Sequence, residues 1–174
     1  EGTQWINIPI RTEDRKKAIK DVRMDHSEDW VTPLLRTIEY NYRNSIYYDF
    51  YEPEIKADFQ SAYDYTYLME FVLFIQRRLL QFMELTVDYE LASTLSEYSS
   101  DPDKLADRLG ADELIQEHDS RHYLRQAERH ESQLQIDHPQ YHQHFEGFES
   151  GCCMLDLLFQ FGPESFRITD QLKV

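Results

Sequence analysis

The sequence predicts an α/β fold: a small, mostly parallel sheet flanked by helices, forming a single domain over residues 1–174. Three observations lead there. Residues 102–138 read in the order helix, strand, helix, strand, the pattern of a parallel β-α-β unit. Short alternating runs occur at 5–10, 86–93 and 132–139, as half-buried strands require. A long apolar stripe over 68–85 marks a core helix.

The elements follow in order. WINIPI (5–10) reads as a short strand stopped by Pro9, at a sheet edge or end. AIKDVRMD (18–25) spaces Ile19, Val22 and Met24 as a loose second strand. A helix start follows at Ser27, with Glu28 and Asp29 where the helix dipole favours negative charge. Leu34, Leu35, Ile38 and Tyr42 then recur at helical spacing, and Pro33 falls in the first turns, where a missing N–H is best tolerated. NSIYYDFYEP makes an aromatic joint, with a further helical turn or two over 54–61. Leu68, Phe71, Val72, Ile75, Leu79 and Phe82 line one face of the helix predicted for 68–85. TVDYELAS (86–93) suits a strand. In the next block Asp101 or Ser100 caps a helix, Pro102 opens it and Gly110 closes it. DSRHYLRQAERH (119–130) is helical, capped by Asp119 or Ser120, and SQLQIDHP (132–139) is a strand ending at Pro139. Near the C-terminus Met154, Leu155, Leu157, Leu158 and Phe161 form a short apolar helix that Gly162 stops. Pro163 can open a second short helix through Phe166 to Leu172.

Composition narrows the function. A net charge of −15, from 18 basic and 33 acidic residues, repels nucleic acid and anionic lipid at long range. The apolar run at 68–85 is interrupted by Glu70, Gln76, Arg77, Arg78 and Gln81, so no membrane insertion is expected. The only two cysteines, Cys152 and Cys153, are adjacent, a spacing that rarely meets disulfide geometry. They read as free thiols, and a cytoplasmic location follows. The chain starts at Glu1 without a methionine and runs straight into WINIPI, which suggests truncation of a longer protein.

Common catalytic signatures are missing: no G-x-S-x-G, Walker A, G-x-G-x-x-G, H-E-x-x-H or C-x-x-C occurs. The sequence names no cofactor. Six of the seven histidines fall between 118 and 144, and His118 and His122 are four apart, so a metal-dependent enzyme using that region is one reading. The plainer one is a histidine-rich surface, with no metal ligand assigned. HDSRH (118–122) sits where a strand meets a helix start, a place that attracts anions, although capping by Asp119 or Ser120 explains it equally. Asp156 is the one charge in the apolar tail helix, either an exposed or capping carboxylate or an anchor that orients a loop in a site.

The tail also carries a resemblance. FESGCCMLDLLFQFGPES resembles the end of the WbqC-like family of bacteria, close to LSILDLLFNxGPES. DHSEDWVTPLLRTIEYNYRNSIYYDFY resembles the family's W…TI…NY…P-Y-F…Y segment. LADRLGADELIQEHDSRHYL resembles its LGAD…SGPSG..YL segment, DHPQYHQHFEGF its HPxYxQxFxxF segment, and WINIPI its W-L-T-V-P strand. Together they span nearly the whole chain. The sequence departs from the pattern in three places. The family's opening HQPxYLPWxGYF segment is missing, the SGPSG loop is Gln116 to Ser120, and the usual histidine of the W-x-x-x-H-W segment is Leu34.

The resemblance implies a role in surface-polysaccharide (O-antigen or capsule) biosynthesis, as a transferase of acyl or aminoacyl groups to a nucleotide-linked amino sugar. The implied partner is a small-molecule sugar or nucleotide sugar. Such chemistry needs a general base and an oxyanion donor. His138 and Asp156 are the catalytic candidates, His138 as base. Arg121 would hold a phosphate or carboxylate, and Asn41, Tyr42 and Tyr141 would orient the sugar. The rival is a non-catalytic binding or scaffold module, favoured by the missing segment, Leu34 and the acidic QEHDS loop.

Overall fold

The computed structural model describes residues 4–96, 99–112, 114–117, 131–134 and 138–171. It divides into two compact units, Glu1–Val87 with Gln140–Asp170 and Asp88–Pro139 with Gln171–Val174.

The predicted α/β class is overturned, because the chain is predominantly α-helical. The helices are α1 (Val31–Tyr42), α2 (Tyr48–Gln60), α3 (Leu68–Phe82), α4 (Pro102–Leu109), α5 (Met154–Phe161) and α6 (Phe166–Thr169). Among the described residues the only ladder is two four-residue strands, β1 (Leu114–Glu117) and β2 (Glu131–Leu134), paired in parallel with Leu114 opposite Glu131. Two strands give a helix layer no sheet face to cover. The alternation at 5–10 and 18–25 ends in isolated antiparallel bridges, Ile10 to Met24 and Arg23 to Tyr67. Alternation at 86–93 finds no partner strand among the described residues; Val87 and Tyr89 are exposed and the run passes into a 3₁₀ turn at Ala92–Thr94. A period of two shows which side chains share a face, but a strand exists only where a neighbour supplies its hydrogen bonds.

The first unit is a helical body. In α1, Val31, Leu34 and Ile38 are buried, and Asp29 accepts the Thr32 N–H at 3.0 Å; the N-cap is Trp30, three residues later than the Ser27 cap suggested. Helix α2 runs straight through Pro53 and is longer than the turn or two expected at 54–61. A proline inside a helix costs about 3 kcal/mol. Tyr48, Tyr51, Ile55 and Phe59 are all buried along the same helix, each contributing about 2 kcal/mol, which offsets it. Helix α3 is the predicted core helix, ending at Phe82 rather than at 85. Glu84 turns left-handed (φ 56°) and the Leu85 N–H reaches back to the Leu80 carbonyl at 2.9 Å, a Schellman-type stop. Helix α1 packs on α2, and α5 packs on both α2 and α3. Phe71 and Phe159 are fully buried in the resulting core, with Trp30, Phe59 and Tyr65 set around the Phe71 ring.

In the second unit α4 has its predicted ends, Asp101 as N-cap, Pro102 in the first turn and Gly110 left-handed at φ 64°. The helix predicted at 119–130, and Arg121 within it, lie outside the described residues.

A charged clamp closes the start of the first unit. Asp14 is fully buried and accepts the Arg23 Nε at 2.7 Å, the Arg23 Nη2 at 3.0 Å and the Arg23 backbone N–H at 3.0 Å. Lys17 Nζ adds a contact at 2.6 Å. Hydrogen bonds from Arg23, then Lys17, hold the Asp14 carboxyl well below the usual carboxylate range. A depressed pKa contributes stability that is present above the unfolded value of about 4 and lost as pH falls toward the folded one. Asp14→Asn is therefore expected to lower the melting temperature at neutral pH by on the order of 10 °C, with the gap to wild type narrowing toward pH ~2. Melting curves across that range check it.

Candidate functional site

Helix α5 is short and strongly apolar, and all of Leu155 to Gln160 is buried. Asp156 goes inside with its neighbours, at 2 % exposure. A buried carboxylate is costly unless donors surround it. Two come from the extended segment before the helix, whose Tyr-x-Gln spacing turns Tyr141 and Gln143 to one side. Tyr141 donates its hydroxyl to Asp156 Oδ2 at 2.7 Å and Gln143 Nε2 donates to the same oxygen at 3.1 Å. Asp156 also lies in the first turn of α5, where the helix N-terminus favours negative charge. Among the described residues no lysine or arginine pairs with it.

Gln143 does a second job. Its Nε2 donates to the Glu149 carbonyl at 2.9 Å and its Oε1 accepts the Glu149 N–H at 2.7 Å. One buried amide thus closes the loop 143–149 and ties it to Asp156. Tyr141 stands edge-on to Phe148 (5.3 Å between centroids) and Phe161 (5.8 Å). On the outer side of Tyr141 a wide, open depression of about 620 Å³ is lined by Gln140, Tyr141, His142, Gly147 and Phe148.

Tyr42, from the last turn of α1, completes the cluster. Its ring packs on Phe159 at 5.1 Å, and burial first, then the Asp156 charge, push its phenol up. Burial and the bond to Asp156 likewise raise Tyr141, and burial raises Tyr48 to about 12. These phenols stay protonated donors at neutral pH. A raised phenol contributes stability that is complete below the unfolded pKa of about 10 and lost as pH rises toward the folded value. In an alkaline titration followed by tyrosinate absorbance, a group of the 12 tyrosines should ionise only as the protein unfolds. Titration of all of them near pH ~10 without unfolding would contradict this assignment.

The other sequence candidates fall elsewhere. Asn41 is taken up by its own helix, donating to the Thr37 carbonyl at 2.9 Å and to Gln4 Oε1 at 3.1 Å. His138 is half-buried in the second unit. Arg121 lies outside the described residues. Leu34 is a core residue. His142 and His144 are exposed, and no group of three or more metal-binding side chains converges among the described residues. Sequence reading missed Gln143, although its alternation with Tyr141 in the HPxYxQxFxxF block was a usable signal.

The fold and this cluster define a helical, acidic protein whose first unit holds a buried carboxylate bonded, among the described residues, by neutral donors. No helix among the described residues is long and apolar enough to cross a membrane. The chain belongs to the WbqC-like protein family, whose profile matches residues 1–168. Comparison with curated proteins and with solved structures gave no match.

Proposed function

We propose that this protein serves surface-polysaccharide assembly and that the Tyr141 depression binds the sugar of a nucleotide-linked amino sugar. The observation that carries the reading is the Asp156 cluster. It holds a buried charge, two phenols and one amide in a fixed arrangement beneath an open aromatic surface. Sugars are recognised by flat apolar faces together with fixed polar groups. Tyr141 and Phe148 offer the first; the amide of Gln143 holds the loop behind them, and Gln140 and His142 add exposed polar groups at the rim. Asp156 acts here as a positioning residue, since its exposure is too small for it to meet substrate.

The reaction we propose is acyl or aminoacyl transfer to the sugar amine. The amine attacks the acyl carbonyl, the acyl carrier leaves with its bonding pair, and a base takes the ammonium proton. The family resemblance names His138 as the base and Arg121 as the phosphate partner of this reaction. A second reading, a binding module without catalysis, draws support from the saturation of Asp156 by its donors, which leaves that carboxylate unable to act as a base.

Calorimetry with nucleoside-diphosphate amino sugars tests the binding step. Wild type should bind, and Phe148→Ala should weaken binding about tenfold. Absence of binding to every sugar nucleotide tried would end the proposal. With an acyl donor added, His138→Ala should keep binding and lose transfer. Binding without transfer in wild type would leave the module reading.

A further inference from the structure

A second cleft lies between α1 and α2, about 210 Å³ in volume. Its floor is apolar, made by Leu35, Ile38, Ile55 and Phe159. Tyr48 also lines it and is only 7 % exposed. Its ring packs on Phe159 at 5.2 Å, but its hydroxyl makes no hydrogen bond to any described residue. Buried phenols nearly always find a partner, and an orphaned one costs about 1–3 kcal/mol. This orphan sits in a cleft wall, where a ligand can reach it.

The rim carries both signs. Arg36 and Glu39 come from α1, Glu52 and Lys56 from α2. Glu52 and Lys56 satisfy each other at 3.6 Å. Arg36 and Glu39 have no ion pair among the described residues. The cleft therefore presents one free cation, one free anion and one unmet hydroxyl, so counted among the described residues, over a greasy floor. A wholly anionic ligand would meet two carboxylates, and a wholly cationic one two basic groups.

We propose that this cleft binds a small zwitterion with an apolar body, of the apolar α-amino acid type. Its carboxylate pairs with Arg36, its ammonium with Glu39, and a polar atom bonds the Tyr48 hydroxyl, while the side chain lies on Ile38, Ile55 and Phe159. At about 210 Å³ the cleft is smaller than the pockets that hold drug-sized ligands, which start at about 300 Å³, so it suits a smaller molecule. The site is separate from the Tyr141 depression and does not rest on the sugar reading. Phe159 lines this cleft and not the depression; its ring packs on both Tyr48 and Tyr42.

Calorimetric titration with L-leucine, isoamylamine and isocaproate decides it. L-Leucine should bind with a Kd on the order of 1 mM, and each single-charge analogue at least about tenfold more weakly. Tyr48→Phe should weaken L-leucine about fivefold and Arg36→Gln more. No saturable binding of L-leucine, equal binding of the amine or acid alone, or unchanged affinity in either variant overturns the proposal. Tyr48→Phe also carries its own control, because loss of an unpartnered hydroxyl should leave the melting temperature level or higher. A lower one would show that the hydroxyl is bonded within the protein and would sink the argument.

Discussion

Gly162→Ala should destabilise the protein by about 3 kcal/mol, measured as a lower midpoint in urea with an unchanged slope. Two causes add. Gly162 ends α5 at φ 54° and ψ −131°, a region that L-residues essentially do not enter. It is also pressed against a ring: a Cβ placed there would meet Tyr47 Cδ1 at 2.6 Å and Cε1 at 2.8 Å. Tyr47 cannot easily retreat, because its backbone N–H donates to the Phe159 carbonyl at 3.0 Å and its ring packs on Tyr51. The glycine is thus both the helix stop and the space into which the α1–α2 joint fits. A double-mutant cycle with Tyr47→Ala separates the two. The clash should vanish in the double variant and the backbone cost, about 1–2 kcal/mol, should remain. Full additivity of the two changes would mean that the ring contact has no energetic weight.

Asp156→Ala should cost about 3 kcal/mol and also loosen the loop at 143–149. The substitution strands the Tyr141 hydroxyl and one Gln143 donor in a buried place, and an unsatisfied buried donor costs more than its bond contributed. Asp156→Asn, which keeps the shape and one acceptor, should cost about 1 kcal/mol. The loop supplies a readout that a plain core residue would not move. With Asp156 gone, Gln143 loses one of the bonds that hold its amide toward Glu149, so limited proteolysis should cut within 143–149 sooner than in wild type. Sugar-nucleotide binding at the Tyr141 depression should fall with it. Equal protection of the loop in wild type and Asp156→Ala would refute the coupling.

The parts of the fold legible in the sequence are those set by near neighbours. The apolar stripe from Leu68 to Phe82 needs only its own 3.6-residue period to be recognised. The ends of α4, with Asp101, Pro102 and Gly110, and the stop of α5 at Gly162 follow from the backbone preferences of single residues. Helix α2 was less readable. Pro53 looked like a boundary, but the buried Tyr48, Tyr51, Ile55 and Phe59 carry the helix across it. In the site, Asp156 stood out as a lone charge among apolar residues, whereas Gln143 looked like an ordinary polar loop residue.

The sequence alone determined the family, the acidic character and the helices whose period or caps are local. Only the tertiary structure decided that the alternating runs at 5–10 and 18–25 make bridges rather than sheet strands. It alone joined Asp156 to Tyr141, Gln143 and Tyr42, and it alone left the Tyr48 hydroxyl without a partner among the described residues. The physical reason is range. Helix periods, caps and stops depend on residues within a turn or two, but the fate of a strand edge or a buried polar atom depends on which distant segment comes to lie against it.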